Sequence, residues 1–295
     1  MAKVWFITGS SRGLGRSLTA AVLAHGDQVV ATARHPQQLQ AFTDQYPSQV
    51  LALPLDVTDN AQVQSAVAQA IAHFGRIDVL VNNAGFGIIG ASEAFTEEQV
   101  QSQLATNLYA PINITRAVLP HMRRQRAGRI LQISSIGGRV GGPGLTIYQA
   151  AKFGLGGYTE ALRNEIAPLG IFVTSVEPGG FRTNWHGDSM SYAPAVEGYE
   201  NTVGLVKETF SSGDFVPMGD PDKAAKVMID LVDHPEPPTH LILGSEAVGM
   251  LRRAEDRKMA DLEKWLPVSN STDHDDAVSF FDSAAGKRLM AMREK

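Results

Sequence analysis

Seven short apolar runs, each followed by a longer stretch with helical spacing, constrain this chain more than any single motif. Lys3–Thr8, Gln28–Thr32, Val50–Leu55, Ile77–Asn82, Arg129–Ser134, Ile171–Val176 and His240–Leu243 read as strands. Leu14–His25, Pro36–Asp44, Asp59–Phe74, a long segment from Thr96 toward Met122, Ile147–Ala167 and Pro221–Asp233 read as helices. Strands that are apolar along their whole length are buried on both faces, so the sheet is parallel and covered by helices on each side. The expected class is α/β, a doubly wound parallel sheet of about seven strands. Residues 1–245 form this domain. Residues 180–219 break the rhythm and read as an irregular flap. Residues 246–295 read as a helical extension of the same domain, with Val248, Leu251, Met259, Leu262 and Leu266 near one helical face.

Local chemistry supports these boundaries. Asp59 stands where a helix N-cap belongs. Thr96-x-x-Gln99 has the form of a capping box, and Asp220-Pro221 gives an N-cap followed by proline at the first helical position.

Composition removes several function classes. The net charge of −5 argues against a general nucleic-acid or anionic-membrane binder. With no cysteine, disulfides and thiolate chemistry are excluded. The few apolar residues before Thr8 are too short for a signal peptide or a membrane span, so the cytoplasm is expected. "STDHDD" at 271–276 has no metal-ligand spacing, and no metal site is expected. Arg123, Arg124, Arg126 and Arg129 sit where a helix should end and read as dipole complementation. His186, alone in the flap, reads as a surface group.

The first strand runs directly into TGSSRGLG at 8–15. A helix N-terminus after a parallel strand offers free N–H groups and the positive end of a dipole, which suit a phosphate. The glycines Gly9, Gly13 and Gly15 let a pyrophosphate approach the backbone. An ordinary strand-to-helix turn is the plainer alternative. Gly9–Gly13 also fits the nucleophile elbow of α/β-hydrolases, with Ser11 as nucleophile, but too little chain precedes it to supply an oxyanion loop. Four other stretches lie at strand carboxyl ends, where open α/β sheets bind ligands: "LPLDVTD" with Asp56, "VNNAGFG" with Asn83, "LQISSIGG" with Ser135 and "VEPGGFRT" with Pro178.

With these residues in order, the chain resembles the short-chain dehydrogenase/reductase family. TGSSRGLG, NNAG at 82–85, Asn107, Ser135, YQAAK from Tyr148 to Lys152, and Pro178-Gly179 carry the resemblance, which spans about residues 3–245. It implies a Rossmann-type fold and an oxidoreductase that moves hydride between a nicotinamide and a carbonyl or secondary alcohol. A homodimer or homotetramer is expected, with a small molecule as substrate. The implied catalytic set is Asn107, Ser135, Tyr148 and Lys152. The implied cofactor contacts come from Gly9, Ser11, Arg12, Gly13, Leu14 and Gly15 in the loop. Further contacts come from Arg34, from Asp56 and Val57 at the adenine, from Asn83, Ala84 and Gly85, from Tyr148 and Lys152, and from Pro178, Gly179 and Thr183 at the nicotinamide. A cofactor-sensing regulator on the same fold is the alternative, and it would need the phosphate loop but not the proton relay.

Tyr148 and Lys152 are four apart on a helix and share a face. A free phenol, with a pKa of about 10, exchanges protons poorly near neutrality. A nearby ammonium favours the phenolate, and a shift of three units takes roughly 4 kcal/mol. Lys152 and a nicotinamide cation are expected to supply it. Ser135 would hold the substrate oxygen, and by resemblance Asn107 anchors a relay water. For cofactor choice, an NAD enzyme places an acid at the end of the second strand. Here that end reads Ala31-Thr32-Ala33-Arg34, and Arg12 is close by in the loop, so NADP(H) is expected. The flap holds Met190, Tyr192, Tyr199, Phe210, Phe215 and Met218, which suit an apolar ketone or aldehyde.

Overall fold

The computed structural model describes residues 2–183, 185, 189–212 and 215–293, which fall into two compact units, Met1–Gly249 and Met250–Lys295. His186 lies outside the described residues.

The first unit is built on a parallel sheet of β1 (Val4–Ile7), β2 (Gln28–Ala33), β3 (Val50–Pro54), β4 (Val79–Asn82), β6 (Gly128–Ile133), β7 (Ile171–Pro178) and β9 (His240–Leu243). Their spatial order is β3-β2-β1-β4-β6-β7-β9, every pairing parallel. The chain moves outward from β1 to β3, then returns to β4 on the other side of β1. That reversal opens a crevice at the carboxyl ends of β1 and β4. β1 shows why the strands are apolar throughout. Trp5 and Ile7 pack with Leu18 and Val22 of α1 (Gly13–Ala24) and Met228 of α8 (Pro221–Asp233). Val4 and Phe6 point the other way. They pack with Val63 of α3 (Asn60–Phe74), Ile114 and Val118 of α5 (Ala110–Gln125) and Leu162 of α6 (Thr146–Ile166). A short α2 (Gln40–Gln45) lies between β2 and β3.

The expected caps form. The Asp59 carboxylate accepts from the Ala61 and Gln62 amides, Thr96 and Gln99 make a reciprocal capping box, and Asp220 caps α8. The single helix expected from Thr96 toward Met122 is divided. α4 (Glu97–Leu104) passes through a π-helical turn, Ala105–Tyr109, before α5 begins. Pro111 explains the slip, because it has no N–H to give to the carbonyl four residues back. Asn107 sits at the centre of that turn.

The flap is less irregular than its sequence suggests. β8 (Met190–Tyr192) pairs in parallel with β5 (Gly87–Ile89) as a second small sheet, and α7 (Leu205–Ser211) follows a π turn at Glu200–Gly204. Three-residue strands carry too little periodicity to be read. Arg129 also departs from expectation. It stands on β6, its guanidinium 4.5 Å from the Phe172 ring centre and donating to the Val232 carbonyl. Dipole complementation describes Arg123 and Arg124 in the last turn of α5, not Arg129.

Beyond β9 come α9 (Ser245–Asn270) and α10 (Ala284–Arg293). Met259, Leu262 and Leu266 of the apolar stripe on α9 are exposed, as is Trp265. No helix among the described residues is long and apolar enough to cross a membrane.

Candidate active site

The glycine loop is held open by residues around it. Gly9 and Gly13 adopt φ of +70° and +54°, a region that favours glycine. A Cβ on Gly15 would stand 2.3 Å from both the Gly9 carbonyl oxygen and Asn83 Nδ2. A Cβ on Gly13 would meet only Thr183, at 3.7 Å, so the loop and the flap face each other across a gap there. Thr8 and Asn83 fix this shape. Asn83 Nδ2 donates to the Thr8 carbonyl at 2.8 Å and the Gly9 carbonyl at 3.1 Å. In return Thr8 Oγ1 accepts from the Asn83 and Ala84 amides at 2.9 and 3.0 Å. Asn83 thus braces the loop from beneath. Thr8 was legible as the end of an apolar strand and the first residue of TGSSRGLG, but its hydrogen bonds to the Asn83 and Ala84 amides were not.

The remaining residues of this group lie along the same edge. Arg12 precedes α1 and Arg34 follows β2, both exposed. Asp56 and Val57 follow β3, and Asp56 Oδ1 accepts from the Thr58 amide and hydroxyl at 2.9 and 2.7 Å. Ser11 and Leu14 are half-buried in the loop. Pro178 and Gly179 end β7, and the Gly180 amide donates to Glu246 Oε1 at 2.5 Å. A glycine-lined backbone cradle at the N-terminus of α1 fits a dinucleotide's pyrophosphate.

A second group converges further along the crevice. Tyr148 and Lys152, one turn apart on α6, are 7% and 4% exposed. Lys152 Nζ donates to the Ile133 carbonyl at 2.8 Å and lies 5.7 Å from the centre of the Tyr148 ring. The Ser135 hydroxyl hydrogen-bonds the Tyr148 phenol and accepts from the Gly137 amide at 3.0 Å. Asn107 is fully buried. Its Nδ2 donates to the Phe86 carbonyl at 2.8 Å and its Oδ1 accepts from the Phe86 amide at 3.1 Å. A Cβ on Gly85 would stand 2.8 Å from Asn107 Oδ1 and 3.9 Å from Lys152 Nζ, so glycine there keeps open the space between them. Trp185, not singled out from sequence, stacks at a tilt on Tyr148 with ring centres 5.6 Å apart.

Burial dominates the electrostatics. It pushes the Tyr148 phenol up to about 12, against the hydrogen bond from Ser135, and pulls the Lys152 ammonium down to about 8. The expectation that Lys152 draws the phenol toward neutrality is therefore not met by the chain's own residues.

Comparison with known proteins agrees with the geometry. Residues 3–191 match the short chain dehydrogenase family. The chain is 42% identical over 270 residues to oxidoreductase BOA17 of Botryotinia fuckeliana, covering 91% of this chain and 98% of that protein. It is 43% identical over 183 residues to a 3-ketodihydrosphingosine reductase of Bacteroides thetaiotaomicron, covering 62% of this chain and 65% of that one. A crystal structure of a short-chain dehydrogenase from Streptomyces avermitilis superposes with a TM-score of 0.88 at 38% identity, over 93% of this chain and 99% of that one.

Proposed function

Because this chain belongs to the short-chain dehydrogenase/reductase family, whose members are oxidoreductases that use nicotinamide cofactors, we propose that it is an NADP(H)-dependent carbonyl reductase or alcohol dehydrogenase acting on an apolar ketone, an aldehyde or the matching alcohol. The observation that carries this reading is the convergence of Ser135, Tyr148 and Lys152 at one crevice wall, with Asn107 across Gly85 from the lysine. The nicotinamide supplies or accepts hydride when bound. The glycine loop and Arg12 would hold its phosphates, Asp56 and Val57 would meet the adenine, and Thr183 and the Pro178–Gly179 turn would meet the nicotinamide end.

The chain's own residues handle the proton. Tyr148 Oη gives it to the substrate oxygen during reduction and takes it back during oxidation. Ser135 Oγ hydrogen-bonds the same oxygen and fixes its position. Lys152, whose ammonium burial pulls down to about 8, is a stronger acid than an exposed lysine and returns a proton to the phenolate more readily after reduction. By family resemblance, a water anchored by Asn107 would link Lys152 to solvent. Trp185 covers the outer face of Tyr148, which excludes solvent and favours an apolar group on the carbonyl. The Bacteroides relative is named for reduction of a ketone on a long-chain base, which points the same way.

Arg34, with Arg12, carries the cofactor preference. Each good charge-assisted bond to a 2′-phosphate is worth roughly 1.5–3 kcal/mol, and exposure reduces it. We expect kcat/KM with NADPH to exceed that with NADH by about tenfold to a few hundredfold. Ala33→Asp combined with Arg34→Ala should reverse or erase that ratio. The check is kcat/KM for both cofactors against a panel of ketones, aldehydes, steroids and quinones. Equal wild-type efficiencies, or a preference for NADH, would show Arg34 to be only a surface charge.

A further inference from the structure

Behind the proposed site lies a chain of charged groups that the proton chemistry does not use. Glu177 immediately precedes Pro178–Gly179 and is 1% exposed. Its Oε1 accepts from Ser175 Oγ at 2.9 Å and lies 2.6 Å from His240 Nδ1. Its Oε2 lies 3.5 Å from Arg139 Nη1. On the far side of the imidazole, Nε2 lies 2.8 Å from Glu160 Oε1. These partners come from four places in the fold. Arg139 closes the short helical turn that Ser135 begins, Glu177 leads into the Pro178–Gly179 turn, His240 opens β9, and Glu160 stands on α6, the helix of Tyr148 and Lys152.

The geometry fixes the protonation state. A carboxylate can only accept hydrogen bonds, and a neutral imidazole has a single N–H. With a carboxylate oxygen within hydrogen-bond distance of each ring nitrogen, both contacts are favourable only for the imidazolium. In the neutral ring one nitrogen lone pair would face a carboxylate.

We infer that His240, as an imidazolium bridging Glu177 and Glu160, is a positioning residue that holds the Ser135 turn and the Pro178–Gly179 turn in register with Tyr148, so that hydride transfer slows when His240 loses its proton. This rests on the site reading given above. The groups facing His240 are Glu177 from β7, Glu160 from α6 and Arg139 from the turn after β6. Their net effect raises its pKa above the usual 6.5. The Glu177 hydrogen bond is the largest cause and burial opposes it; the Glu177 charge and the Glu160 hydrogen bond also raise it, while the Arg139 charge lowers it. The brace is therefore present below the raised value, as long as Glu177 and Glu160 stay ionised, and is lost as pH rises through it.

The test follows single-turnover NADPH oxidation by a substrate from the panel across about pH 6–10, with the His240 ring titrated in parallel by NMR on the full chain. The Glu160 side chain is 62% exposed, so Glu160→Gln removes one carboxylate with little risk to folding. It should keep the low-pH plateau and move the His240-linked decline lower by about half to one pH unit, with the NMR titration moving equally. His240→Gln should remove the part of the decline that tracks the His240 titration, leave the part set by Lys152 near 8, and lower the plateau by about fivefold to twentyfold, with the NADPH Kd changed by less than about twofold. A merely structural His240 would scale every parameter with the folded fraction and leave the shape of the pH profile alone. A pH profile that keeps its wild-type shape in both variants, or a His240 titration at or below 6.5, overturns the inference. Tyr148→Phe separates the two readings: full activity there sinks the proposed site, whereas an inactive Tyr148→Phe beside an unmoved decline sinks the brace alone.

Discussion

α6 carries two tyrosines ten residues apart, and its two halves show what makes a buried phenol a candidate catalyst. Burial pushes both Tyr148 and Tyr158 up to about 12, and each phenol is hydrogen-bonded by a small hydroxyl side chain, Ser135 or Thr115. The perturbation alone does not separate them. Their surroundings do. Tyr148 faces the crevice, with Lys152 beside its ring and Trp185 over its outer face. Tyr158 closes a polar network inside the sheet. Thr115 Oγ1 accepts from Asn82 Nδ2 at 3.0 Å and Gln132 Nε2 at 3.1 Å, which leaves its own hydrogen for the Tyr158 oxygen. A shifted pKa marks a site only where reactive groups converge on space a substrate can enter.

The largest effect should come from the crevice half. Tyr148→Phe removes the proton donor and keeps the ring that packs under Trp185. kcat should fall by at least about 10²-fold with NADPH binding nearly intact, measured by steady-state turnover and by cofactor fluorescence titration. Near-normal kcat would break the distinction between the two halves.

Lys152 sharpens the comparison through stability. Its ammonium is buried and its pKa falls from 10.5 to about 8. Between those values the unfolded chain binds a proton that the folded chain does not, so stability rises with pH across that window. Below it, the folded state bears the cost of a buried charge. Lys152→Met should raise stability near pH 7 by about 1–3 kcal/mol, less whatever is lost with the bond to the Ile133 carbonyl. It should also flatten the alkaline rise and lower kcat by about tenfold or more. Denaturant melts at several pH values measure the first two effects. A destabilised Lys152→Met at pH 7 would mean that the ammonium is well solvated.

The same contrast explains how far the sequence could be read. Long apolar strands and capped helices declare themselves, because burial on both faces and satisfied helix termini leave marks in consecutive residues. The motif residues were also legible, since Gly9, Tyr148 and Lys152 keep fixed spacings. Features made by distant residues meeting were not. The π turn at Asn107 depends on Pro111 breaking one hydrogen bond. The β5–β8 pair joins segments about a hundred residues apart. Trp185 over Tyr148 and the Glu177–His240–Glu160 bridge come from tertiary packing, and the flap's short elements have no period of their own. The brace from Asn83 to the glycine loop was not legible either, because a side chain's target cannot be read from its neighbours in sequence.

The smallest predicted effect tests the structural half of α6. Tyr158→Phe deletes one oxygen, whose side-chain partner is Thr115 rather than Ser135 or Lys152. Thr115 is fully buried and already accepts two amide hydrogens, so its own O–H would lose its acceptor. A buried unsatisfied hydroxyl costs about 1–3 kcal/mol. Tyr158 is only half-buried, and water can enter where its oxygen was, which places the expected loss near the lower end, about 1 kcal/mol. Activity should stay within about twofold of wild type, because no group in the crevice changes. Chemical denaturation and kcat on one substrate, measured on the same preparation, give both numbers. If Tyr158→Phe lost activity as Tyr148→Phe is expected to, while keeping its stability, the phenol network through Thr115 and Asn82 would have to reach the site, and the division of α6 into a reactive half and a packing half would be wrong.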